Sequence, residues 1–268
     1  MEMSDSQKRF SKIFVVIDPT RFVQPAFLRA ESIAKQNGAQ LVVYCCIADG
    51  TGESPDQSIT ERVDIAREAI ERLVSSSGVE KTEIIVEWND DWRRALVDAA
   101  VHSKCDLIIK QASRHSLVGR VFSATADWML LRDAVQPVLL VSGRALGDKR
   151  RVLAALKLKP DDEGQETLNE KIVELSHYLS DAVGFEMHAA TVYKGDDVYF
   201  DRQRFADFCR LPRNRVHAVG GSAHVAIAKA AAEVGADTIV IGNPENSETA
   251  QRLIDHANSD MLILPPIH

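Results

Sequence analysis

The residues best suited to chemistry lie together in one stretch, Lys110-Gln-Ala-Ser-Arg-His-Ser-Leu-Val-Gly-Arg120. Lys110, Arg114, His115 and Arg120 can converge there on an anion at the start of the following helix, whose dipole favours negative charge. The same stretch also reads as a solvated basic loop with Ser123 as an ordinary N-cap. Asp18, followed by Pro19 and Thr20, suits a cap for the helix after it. Six of the eight histidines fall in the second half, at His177, His188, His217, His224, His256 and His268. None forms an H-E-x-x-H motif or a close Cys/His cluster, so neutral surface or core histidines and no metal are expected. There is no G-x-S-x-G elbow, no Walker loop and no paired-carboxylate signature, and no catalytic residue is expected. Gly220-Gly221-Ser222 reads as a turn and an N-cap. Trp88, Trp92 and Trp128 read as packing residues.

These residues need elements to hold them, and the chain alternates strand and helix patterns throughout. Strands are expected at Lys12–Asp18, Leu41–Ile47, Glu83–Glu87, Asp106–Ile109 and Pro137–Val141. Helices are expected at about Phe22–Gln36, Ile59–Ser75, Asp91–Ser103 and Ser123–Arg132. Gly38 stands where a helix C-cap belongs. The order then restarts. Strands are expected at Arg150–Leu156, Phe185–Val192, Arg215–Val219, Asp237–Gly242 and Met261–Leu264. Helices are expected at Glu166–Val183, Val198–Cys209, Ala223–Val234 and Glu248–His256.

Two halves with one order of elements indicate a tandem duplication, residues 1–143 and 148–268, joined by a linker at 144–147. Asp18 aligns with Lys157, Leu41 with Met187, Asp106 with Asp237 and Val138 with Met261, so the offset runs 139, 146, 131 and 123. The last step removes eight residues between the fourth and fifth strands of the second half. Strands separated by helices predict an α/β fold in which each half is a five-stranded parallel sheet covered on both faces. Ligands in such sheets bind beyond the carboxyl ends of the strands where strand order reverses, here between the loops after strands one and four.

Composition limits the function classes. Of 268 residues 45% are apolar, and a net charge of -7 argues against a nucleic-acid partner. No apolar run reaches the roughly 20 residues of a membrane helix, and the opening MEMSDSQKRFSK has no signal-like core. Cys45, Cys46, Cys105 and Cys209 show no metal or redox spacing and read as buried, reduced thiols. A cytoplasmic protein without membrane insertion is the expectation.

Val216-His-Ala-Val-Gly-Gly-Ser through Ala236-Asp-Thr-Ile-Val-Ile-Gly242 resembles the glycine turn, helix and following strand of the universal stress proteins. Asp127-Trp-Met-Leu-Leu-Arg132 with Gln136-Pro-Val-Leu-Leu-Val141 resembles their last helix and strand. The chain as a whole resembles a tandem member, most like the E type. The resemblance implies two Rossmann-like (adenine nucleotide alpha hydrolase-like) domains. It sets Asp18 against a ligand base or ribose and Cys46 where backbone meets adenine.

ATP-binding members carry G-x2-G-x9-G-[ST] after the fourth strand, because only glycine lets backbone N–H groups approach phosphate. Here the three glycine positions hold Gln111, Arg114 and Ala124, and only the hydroxyl of Thr125 is kept. In the second half Gly242 matches the first glycine, but the deletion removes the rest. Glu245 and Glu248 add negative charge there, and Lys157 replaces the acidic residue.

The expected function is therefore a non-enzymatic stress-response protein that binds a protein partner or a small molecule, with no cofactor. The alternative is binding of ATP, ADP or AMP, or slow ATP hydrolysis, at an altered first-half site. The ligand-contact candidates are Asp18, Lys110, Arg114, His115 and Thr125. The apolar closing strands Val138–Val141 and Met261–Leu264 suggest an internal pseudo-dimer, and that edge allows but does not require a further homodimer.

Overall fold

The computed structural model describes residues 9–19, 21–48, 58–113, 126–145, 150–158, 162–193, 200–243 and 248–266. Two compact units divide the chain. The first holds strands β1 (Lys12–Val16), β2 (Gln40–Ile47), β3 (Thr82–Trp88), β4 (Leu107–Gln111) and β5 (Val138–Val141). Its helices are α1 (Pro25–Asn37), α2 (Ile59–Ser77), α3 (Trp92–His102) and α4 (Ala126–Asp133). The second holds β6 (Arg151–Leu156), β7 (Glu186–Tyr193), β8 (Val216–Gly220), β9 (Thr238–Gly242) and β10 (Asp260–Leu264). Its helices are α5 (Glu163–Val183), α6 (Arg202–Cys209), α7 (Ala223–Val234) and α8 (Glu248–His256).

In the first unit all pairings are parallel, in the order β3-β2-β1-β4-β5. The second repeats it as β8-β7-β6-β9-β10. The strands are near-continuous apolar runs such as Phe14-Val15-Val16 and Leu41 through Ile47, as a sheet buried on both faces requires. Phe14, Tyr44, Ile108, Ile109, Leu140 and Leu153 are among the largest fully buried side chains.

Local chemistry sets the helix ends. Pro25 opens α1, where its missing N–H costs nothing, and Gly38 closes it in the left-handed conformation at φ 62°. Ser58 and Glu61 form a reciprocal capping box at α2. Asp91, Asp162 and Asp201 cap α3, α5 and α6 through side-chain oxygens. One expectation changes. Gln24, not Asp18, stands at the N-cap of α1. Ser222 stands at the N-cap of α7 as expected, but its side chain makes no capping bond.

One carboxylate in each unit ties the start of the central strand to its neighbour. Asp106 Oδ2, just before β4, accepts the Ser11 and Lys12 backbone N–H groups at 2.7 and 2.9 Å and the Ser11 hydroxyl at 2.6 Å. Asp237, just before β9, accepts the Arg151 N–H at 3.0 Å. The β1–β4 and β6–β9 pairings are thereby pinned at equivalent points.

Candidate functional site

Strand order reverses between β1 and β4, and a crevice of about 260 Å³ opens there at their carboxyl ends. Asp18 comes from the end of β1, Cys46 from β2, Trp92 and Leu96 from α3, and Lys110, Gln111 and Ser113 from β4 and the turn after it.

Asp18 lies on the wall of the crevice. Its carboxylate accepts from Arg21 Nε at 2.9 Å. Gln24 clasps its backbone, accepting the N–H at 3.3 Å and donating to the carbonyl at 2.7 Å. Cys46 is buried, and burial pushes its thiol up. The Trp92 ring carries the Arg93 guanidinium 4.7 Å from its centroid.

Lys110 reaches the crevice but faces a partner inside the protein. Its ammonium stands 2.7 Å from Asp127 Oδ1, with the side chains only 10% and 3% exposed. It also donates to the Ser113 hydroxyl at 3.1 Å and the Gln111 carbonyl at 2.9 Å. The other oxygen of Asp127 accepts the Ser113 backbone N–H at 2.6 Å. A cation and a backbone donor, the two groups a phosphate needs, are thus both engaged by one carboxylate in the first turn of α4.

The fold therefore brings Asp18 and Lys110 to one crevice, while Arg114, His115 and Thr125 lie outside the described residues, as do Thr20, Arg120 and Ala124. Gln111, at the first glycine position, points its Oε1 into a buried place with no hydrogen-bond partner among the described residues. Sequence reasoning missed Asp127, Trp92 and Ser113. The available signal was Lys110 itself, since a lysine in the apolar run Leu107-Ile-Ile-Lys-Gln111 calls for a buried counter-ion.

The second unit differs. Gly242, which resembled a cradle glycine, packs closely inside the unit: a Cβ there would meet Leu168 Cδ2 of α5 at 2.5 Å. Lys157 is exposed, and its carbonyl accepts from Asn169 Nδ2 at 2.9 Å. Glu245 and the Glu248 side chain lie outside the described residues. Two histidine pairs form, His188 with His217 and His224 with His256. Among the described residues no group of three or more His, Cys, Asp or Glu side chains is disposed to hold a metal. None of the described helices is long and apolar enough to cross a membrane.

Comparison with known proteins agrees with this architecture. Residues 9–142 match the universal stress protein family. Universal stress protein E of Photorhabdus laumondii is 24% identical over 96% of this chain and 95% of its own. That of Escherichia coli K12 is 24% identical over 96% and 94%. Among solved structures, a universal stress protein from Archaeoglobus fulgidus superposes with a TM-score of 0.73 at 17% identity, covering 97% of each chain. A functionally unknown protein from Pseudomonas aeruginosa PAO1 does so at 0.77 and 22%, covering 98% and 95%. A first unit matched to the family model and relatives of the E type aligned along nearly the whole length place the chain in the universal stress protein family.

Proposed function

We propose that this protein serves the stress response by binding, without catalysis, and that its first crevice takes a compact small molecule or partner group rather than a polyphosphate. Family membership supports the stress-response role. The observation that carries the finer reading is the Lys110–Asp127 contact at 2.7 Å together with the Ser113 N–H on the same carboxylate. A triphosphate entering there would have to displace Asp127 from both groups and leave it buried beside a second anion. Breaking such a buried pair costs about 3–5 kcal/mol.

No bound cofactor is part of this reading. Thermal unfolding with ATP, ADP and AMP tests it, because a ligand that binds only the folded state raises the melting temperature. Unchanged midpoints are expected. A rise with ATP, or measurable ATP turnover, would favour a nucleotide-binding protein or slow ATPase instead.

A further inference from the structure

We propose that Glu186, His188 and His217 form an acid-sensitive relay that loosens edge strand β8 from β7 when both imidazoles become protonated. Ala190 on β7 is in register with His217 on β8, so His188, two residues earlier, shares the face of His217. The rings lie 5.4 Å apart at 22°, with His188 Nδ1 3.2 Å from His217 Nε2. The other nitrogen of His188 lies 2.8 Å from Glu186 Oε1.

These distances fix the protons. An ionised carboxylate only accepts, so His188 Nε2 carries a hydrogen. With His188 neutral, its Nδ1 accepts and His217 Nε2 must donate. One added proton also fits: His188 becomes an imidazolium beside Glu186, donates through Nδ1, and His217 keeps its hydrogen on its own Nδ1. A second proton does not fit. It sets two N–H groups against each other across 3.2 Å, with no acceptor between two like charges.

The surrounding charges reinforce this. Arg151 of β6 and Arg215, just before β8, lie 3.6 and 3.7 Å from Glu186. Arg202 of α6 acts unfavourably on a charged His217, and Glu233 of α7 opposes it. His177 of α5 is engaged elsewhere, on the Cys209 carbonyl at 2.9 Å. Burial first, then the charges of His188 and Arg202, hold His217 below the ordinary histidine value. The unfolded chain protonates both rings near pH 6.5, whereas the folded pair resists the second proton. The stabilisation is therefore complete above that pH and is lost as pH falls through the folded value.

The test is a residue-resolved NMR titration of both imidazoles, with hydrogen-exchange protection of the Val216–Gly220 amides, from about pH 7.5 to 4.5. One ring is expected to stay neutral below the ordinary histidine value, and protection to fall about tenfold per unit by which that ring is depressed. His217→Gln keeps an N–H donor for His188 without a titrating group and should abolish the loss of protection. Glu186→Gln, which still accepts from His188, should lower the pH at which the pair takes its first proton. Independent titration of both rings at the ordinary value would overturn the proposal. So would acid loosening of β8 undiminished in His217→Gln, or a first protonation unchanged in Glu186→Gln.

Discussion

Lys110 and Asp127, on a strand and a helix of the first unit, meet at 2.7 Å with both side chains almost fully buried. A pair so placed stabilises little relative to apolar residues, but leaving one partner alone is costly. Asp127→Asn should destabilise the protein by about 3–5 kcal/mol in urea unfolding. Adding Lys110→Met should recover most of that loss, because the stranded charge is gone. Additive losses in the double variant would mean the two side chains are not coupled.

A side chain at Gly242 should cost stability. Its Cβ position falls 2.5 Å from Leu168 Cδ2 and 2.8 Å from Cγ, so Gly242→Ala forces the Leu168 side chain, or α5 with it, to shift. A loss of roughly 1–3 kcal/mol is expected, as for overpacking generally. Leu168→Ala in the same chain should relieve the clash and make the two effects non-additive, as a double-mutant cycle in denaturant would report.

Acid stability should depend on Asp106. Burial alone would raise its carboxyl, but bonds from the Ser11 hydroxyl and from the Lys12 and Ser11 amides outweigh it and hold the group below the ordinary aspartate range. As pH falls through that range the unfolded chain takes up a proton that the folded one refuses. The stabilisation is thus present above about pH 4–5 and lost towards the folded value. Asp106→Asn should lower stability at neutral pH and flatten this acid slope. An unchanged slope would show that the carboxylate makes no such contribution.

The repeat was legible because it is written in apolar strands whose pairing leaves little freedom. Ile13 and Val152, 139 residues apart, pair with Leu41 and Met187, 146 apart, and with Leu107 and Thr238, 131 apart. Val138 and Met261, 123 apart, pair with Ile108 and Ile239 in turn. All four offsets read from the sequence return as strand registers. The crevice was less legible. Lys110 looked like part of a basic cluster because its neighbours in sequence are basic, whereas its direction is set by Asp127, seventeen residues on and on another element. Gly242 looked like a ligand glycine because close approach to a ligand and to a leucine demand the same residue.

The thiols should be inert in the folded protein. All four cysteines are free and buried, and burial pushes Cys45 and Cys209 up to about 12. At neutral pH almost no thiolate is present to react. Native protein should therefore label slowly with a disulfide reagent, and all four should label promptly in denaturant. Rapid native labelling of Cys46, the thiol on the crevice wall, would show that the crevice is more open than its 8% exposure implies.

Calorimetric titration of the intact protein with magnesium-ATP, repeated on Asp127→Asn, bears most directly on the claim that the first crevice is not a polyphosphate site. The native chain should show no saturable binding tighter than about 1 mM. Asp127→Asn, which releases Lys110 and the Ser113 N–H from their internal carboxylate, should bind phosphate-bearing ligands better than the native chain does. Micromolar ATP binding by the native protein, abolished by Lys110→Met, would contradict the account.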